Sequence, residues 1–271
     1  MKKTLRILAL LLSFLMITGL FAACNNNNTG DGNETTKPPA DEIVLIVGTN
    51  PEFPPFEFLD DNGEMDGFDV ALIKEMGDRM GMTVKMEAME FKSLIAAIGG
   101  RIDIAIAAMT ITEDRKESVD FTDSYFDAKQ YVLVAADNDA ITSVGDLTGL
   151  KLGVQEGTTG DFIATDIADA DETGETKVSR YSKAVQAVMD LASGRLDAVI
   201  VDKNPAMEFA NTNDKVKIIS DDFFEDEFYG IAVPKDKPEL LQKLNDALAE
   251  VIADGTFDTL LEKYGLKIEA E

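Results

Sequence analysis

The sequence runs to 271 residues, enough for one or two domains with a sizeable core, and is 45% hydrophobic and 28% charged. It holds 51 acidic residues against 25 basic ones, a formal net charge of -26, with no histidine and one cysteine. The acidic balance argues against nucleic acid and anionic membrane surfaces as partners. The missing residue types remove Ser-His and Cys-His nucleophile systems, His-ligated zinc and every disulfide framework.

At the N-terminus, Lys2, Lys3 and Arg6 precede an apolar run from Ile7 to Leu20, and "FAAC" ends at Cys24. A positive n-region, an apolar segment of this length and small residues before the cut predict a signal peptide over 1–23. Cys24 after Ala22-Ala23 resembles a bacterial lipobox, whose cysteine receives diacylglycerol and becomes the new N-terminus; Phe21 departs from the leucine usual there. An ordinary secretory peptide with an incidental cysteine is the alternative. Residues 24–41 have almost nothing to bury and predict a flexible tether. The folded part is therefore expected to start near Glu42, at the outer face of the membrane and anchored to it.

"EIVLIVGTN" then predicts a buried strand and a loop, and "FEFL-DDNG-EMDGF" a hairpin turning at Asn62-Gly63. The acid-rich stretch is no EF-hand loop, because Met65 stands where the glycine is needed. Asp69 starts an amphipathic helix with Leu72, Ile73, Met76 and Met80 on one side. "TVKMEAM" predicts a strand, residues 93–98 a helix and "IDIAIAAM" a third strand. Strands that alternate with helices and read as continuous apolar runs imply a mostly parallel sheet covered on both faces.

An internal echo doubles this unit. Gly100-Arg101-Ile102-Asp103 answers Gly194-Arg195-Leu196-Asp197, each following a helix and leading into a small apolar strand. Two α/β lobes built alike would place ligands beyond the carboxyl ends of their strands, at 107–115 in one and at Val201-Asp202 in the other. "MTITEDRKES" puts Arg115 there. Such an arginine either pairs with Glu113 or Asp114 on the surface or holds a carboxylate from outside the chain. Thr110-x-x-Glu113 has capping-box spacing, so a helix is expected to begin near Thr110 to Thr112 and to favour an anion. Arg115 can add two parallel hydrogen bonds to a carboxylate. "KLGVQEGTTGDF" predicts a strand, a glycine turn and a helix start at Thr158 or Thr159. Asp202 suits an ammonium, and the pair suits a zwitterion.

Taken in order, "GTNPEFPPFEF", "GFDVALIKEM", the run from Phe91 to Phe126, "LGVQEGTTGDF", "GRLDAVIVD" and "ADGTFDTLLEKYG" resemble the amino-acid-binding branch of the solute-binding proteins of ABC transporters. The resemblance covers nearly all of Glu42 to Lys267. It implies the type II periplasmic-binding-protein fold, an α/β clamp with lobe 1 at 42–129 and 228–271 around lobe 2 at 130–227. The crossings would lie near Phe126 to Tyr131 and Phe228 to Ile231. Arg115 matches the carboxylate-binding arginine and Asp202 the ammonium-binding aspartate. Thr110 and Thr159 match residues that contact the ligand backbone, and the Ala108 carbonyl a further ammonium acceptor. Phe53 and Phe91 match aromatics that enclose the side chain, whereas Phe56 and Phe58 are left to the hairpin and core.

For the side chain of the ligand, Asn50 stands where relatives often carry aspartate, an exchange that suits a glutamine-like ligand. The overall pattern instead looks like members assigned to basic amino acids, and arginine or lysine is slightly favoured. Glu57 and Gln155 are candidate pocket residues, although Glu57, Glu90 and Glu156 are each expected on the surface rather than in the pocket. The resemblance implies no cofactor and no metal, a monomer, and an ABC permease as partner. Two other classes remain: a sensory module for a separate receptor, and a dehydratase of the same fold with Glu156 as general acid.

Overall fold

The computed structural model describes residues 43–219 and 224–267; the expected signal peptide, Cys24 and the tether lie outside them. Among the described residues apolar β1 (Ile43–Thr49) comes first, followed by the short strands β2 (Glu52–Phe53), β3 (Glu57–Leu59) and β4 (Met65–Asp66), the last three pairing in that order. The β3–β4 hairpin turns through Asn62 and Gly63, with Gly63 at φ 80°. Helix α1 (Phe68–Met80) follows, its Leu72, Ile73 and Met76 fully buried. Then come β5 (Met82–Ala88), α2 (Leu94–Ala97), β6 (Ile104–Ala105), α3 (Glu113–Ser118) and β7 (Val119–Phe121).

The chain next builds a second sheet: β8 (Phe126–Ala135), β9 (Lys151–Gln155), α4 (Thr159–Ala170), β10 (Lys177–Tyr181), α5 (Ala184–Ala192), β11 (Ala198–Asp202), α6 (Lys203–Thr212) and β12 (Val216–Ile219). It returns through β13 (Asp226–Tyr229) to β14 (Ala232–Pro234), α7 (Pro238–Ala253) and α8 (Thr256–Lys263). The first sheet runs β5-β1-β6-β14-β7 and the second β10-β9-β11-β8-β12, with β13 pairing β8. In each, the three strands that alternate with helices are parallel. The strands that enter from the crossings, β8 and β14, run antiparallel to them. Where β8 and β13 pass between the sheets they form one ladder, Phe126 opposite Tyr229 and Lys129 opposite Asp226.

The internal echo has a physical counterpart. Asp103 accepts from the Ile46 amide at 2.7 Å while its own N–H donates to the Ile46 carbonyl at 2.8 Å. Asp197 does the same with Lys151, at 2.8 and 2.9 Å. Each aspartate thus anchors the start of one strand to its parallel neighbour. The left-handed stop sits at Gly194 in one copy but at Gly99, not Gly100, in the other.

The expected strand after Asp103 is cut short. Pairing ends at Ala105, because the chain leaves the sheet toward the cleft: Ile106 still donates to the Gly48 carbonyl at 3.1 Å, and Ala108 turns at φ 45°. A left-handed alanine costs backbone energy. Its amide recovers some by donating to the buried Asp69 carboxylate at 2.7 Å.

Candidate functional site

The carboxyl ends of β1, β6, β9 and β11 converge from the two sheets on one cavity. β1 delivers Asn50, the turn after β6 delivers Ala107 and Ala108, β9 delivers Gln155, and β11 delivers Asp202. Phe53, Glu57, Phe91, Thr110, Arg115 and Thr159 complete the predicted set, and all ten predicted cleft residues line the same space. Thr158, expected only as a helix start, lines it too.

Arg115 is 6% exposed and has neither Glu113 nor Asp114 as an ion-pair partner; Glu113 pairs with Lys116 at 2.8 Å instead. The surface-pair reading is thereby corrected. The guanidinium donates to the Thr110 carbonyl at 2.6 Å and to the Gly157 carbonyl at 3.0 Å, and lies 5.3 Å over the Phe91 ring. Burial pushes it down to about 10, partly offset by the charges of Glu227 and Asp202, so it stays cationic at neutral pH. Gly157 can present its carbonyl because it sits at φ 82°, and a Cβ there would meet Lys92. Its amide is held by the Asp161 carboxylate at 3.0 Å.

The helix starts differ in part from expectation. Thr158 caps α4 as predicted, accepting from the Asp161 amide. Thr112, not Thr110, caps α3, accepting from the Arg115 amide at 3.2 Å. Thr110 therefore has its hydroxyl free for another partner, and donates to Glu227 Oε2 at 2.6 Å. That oxygen also receives Thr159 Oγ1 at 2.9 Å and Gln130 Nε2 at 3.4 Å. One carboxylate of the crossing strand β13 thus gathers groups from both lobes. Nothing in the local sequence marks Glu227 for this task; it comes from the ladder that carries β13 past the cleft.

Asp202 is 6% exposed and accepts from the Tyr229 hydroxyl at 2.6 Å. Burial, then the nearby Glu227 charge, raise its carboxyl to about 7. Glu57 corrects the expectation of a surface glutamate, being 1% exposed, whereas Glu90 is exposed and Glu156 half-buried. Its Oε2 has no hydrogen-bond partner, and burial with Asp69 beside it pushes its carboxyl well above the usual range. Asp69, read from sequence only as the start of a helix, is fully buried and accepts from Tyr125 Oη at 2.8 Å.

Asn50 is less available than the sequence suggested. Its amide donates to the Met89 carbonyl at 2.9 Å, and its Oδ1 accepts from Gln155 Nε2 at 2.8 Å. This pair joins the lobes beside the cavity, as do Lys92 with Glu156 at 2.8 Å and Lys183 with Glu52. Glu156 makes that ion pair and is not among the residues that line the cavity. Among the described residues no group of His, Cys, Asp and Glu could hold a metal ion, and no helix is long and apolar enough to cross a membrane.

A family model described as bacterial extracellular solute-binding proteins, family 3, matches residues 45–267. A "probable histidine-binding protein" of Neisseria gonorrhoeae is 34% identical over 243 residues, which are 88% of this chain and 89% of that protein. Among solved structures, an ancestral arginine-binding protein bound to arginine is 43% identical with a TM-score of 0.77, over 82% of this chain and 97% of the other. An ancestral arginine-binding protein bound to glutamine is 42% identical at the same TM-score, over 83% and 98%.

Proposed function

Because the chain belongs to the bacterial extracellular solute-binding proteins of family 3, we propose that it captures a cationic α-amino acid and hands it to the membrane permease of an ABC importer. It acts as a monomer without a cofactor, held at the outer face of the cell membrane through lipid on Cys24. Arg115 holds the α-carboxylate, Asp202 the α-ammonium, and Phe53 and Phe91 enclose the side chain. Thr110, Thr159 and the Ala108 carbonyl complete the contacts to the ligand backbone.

The observation that carries the charge class is the ionisable lining. It consists of Glu57, Asp202 and Arg115, two acids and one base. A zwitterion satisfies Arg115 and Asp202 and leaves Glu57, whose buried Oε2 is unpartnered. A buried carboxyl can carry its charge only when paired, so a positive side chain would hold Glu57 in its ionised form and complete the balance. A glutamine-like ligand is the second reading, favoured by the amides of Asn50 and Gln155 at the cavity wall.

A thermal-shift screen against the twenty amino acids tests this. A ligand at 100 times its Kd adds about 2.7 kcal/mol of stability. Arginine or lysine should give the largest shift. If only neutral or acidic amino acids raise the melting temperature, the cationic reading is wrong; if none does, the binding function itself is.

A further inference from the structure

Glu57 and Asp69 form a cluster that holding a zwitterion does not use. Both are at most 1% exposed, and their carboxyls lie within hydrogen-bonding reach of each other. Glu57 Oε2 and Asp69 Oδ1 both lack a donor. An ionised carboxylate only accepts, so two of them buried side by side repel and leave both oxygens orphaned. One proton between them removes both defects. The other Asp69 oxygen, Oδ2, already accepts from the Ala108 amide at 2.7 Å and from Tyr125 Oη at 2.8 Å. Asp69 is therefore the better anion and Glu57 the better acid.

We propose that Glu57 and Asp69 share one proton in the ligand-free protein and release it to solvent when a cationic side chain enters, so that Asp69, acting through Glu57, sets which charge class the cavity accepts. This rests on the reading of the cavity as an amino-acid site. With the proton in place, Glu57 is a neutral donor and favours an uncharged amide; with it gone, Glu57 is an anion and favours a guanidinium or ammonium. The incoming ligand arrives already protonated, so one positive charge enters and one proton leaves.

The other charged or titratable groups facing the pair are Tyr125 before β8 and Asp202 on β11, with Arg115 on α3 lining the same cavity; Tyr229 and Glu227 on β13 stand against Asp202 rather than against the pair. Of these, Asp202 also stands high in its range and faces the α-ammonium. It would release protons to any amino acid alike, so the difference between a cationic and a neutral ligand isolates the pair.

Isothermal titration calorimetry of the purified chain with L-arginine and with L-glutamine, in two buffers of different ionisation enthalpy near pH 7, reads that difference. Arginine should release about one proton more than glutamine. Its affinity relative to glutamine should fall about tenfold for each pH unit below the release midpoint. In Asp69→Asn the amide can donate to Glu57 and keep it ionised, so the extra release and its pH dependence should vanish. Should that variant not fold, Tyr125→Phe removes a donor from Asp69 and should move the release profile to higher pH. The proposal is overturned if arginine binds with glutamine's proton count, if Asp69→Asn releases as much as wild type, or if Tyr125→Phe leaves the profile unmoved. A chain that binds glutamine but neither arginine nor lysine at any pH overturns the cationic reading instead.

Discussion

Arg115 reaches from one lobe to the other, its guanidinium donating to the Gly157 carbonyl at 3.0 Å. The same group donates to the Thr110 carbonyl in its own lobe and keeps further N–H groups for a ligand. Arg115→Ala would remove the only base among the cavity's lining residues and leave Asp202 and Glu57 unopposed. Amino-acid affinity should fall by about 3–5 kcal/mol, and Arg115→Lys should recover little, because a point charge cannot make two parallel bonds. Calorimetry with the best ligand checks this; binding within tenfold of wild type would sink the anchor role.

Glu227 Oε2 gathers the Thr110 and Thr159 hydroxyls at 2.6 and 2.9 Å. Bonds to a charged acceptor are roughly twice as strong as neutral ones. Glu227→Ala should therefore weaken the contact between lobes and bias the chain toward a more open form. Small-angle scattering at saturating ligand should give a larger radius of gyration for the variant. Identical radii would mean that the remaining bridges suffice.

The stability of the ligand-free protein should depend on pH in an unusual direction. Burial holds the Asp69 and Asp202 carboxyls up at about 7, against ~3.9 for a free aspartate. Between those values the folded state binds more protons than the unfolded one. Stability is therefore fully present below pH ~4 and is lost as pH rises through 7. Exposed carboxylates held low by their partners, such as Asp139 and Asp146, act below this window. Melting temperature should fall by several degrees from pH 5 to pH 8, and Asp202→Asn should flatten the fall. A melting temperature that climbs over this range would contradict the assignment.

Cys24→Ser should release the protein from the membrane into the medium, since a diacyl anchor is the attachment proposed. Fractionation of cells carrying the variant reads this directly. A variant that stays with the membrane counts against the lipobox.

Much of this site could be read from sequence because its parts are short, contiguous and stereotyped. Asn50 follows an apolar strand, Asp202 ends one and Thr159 starts the helix after another, and strand ends are where parallel sheets place ligands. What escaped is tertiary. Glu57 sits in a hairpin of mixed polarity, and alternation there cannot tell which face a neighbouring helix covers; α1 and its Asp69 bury it. The spacing Thr110-x-x-Glu113 mimics a capping box, yet Thr112 is the residue whose hydroxyl meets the third amide on. Glu227 lies far along the chain from both threonines, and only the β8–β13 ladder brings it to them.

The position of β14 bears on the order in which the chain can assemble. It lies between β6 and β7, yet everything that builds the second sheet is synthesised between β7 and β14. The sheet formed by β8 to β12 comes from one continuous stretch and can close on local contacts. The other must wait for a strand from near the C-terminus, a long loop closure that slows folding. A chain emerging N-terminus first would thus hold its first half unfinished, with the β6 edge open, until its last strand arrived.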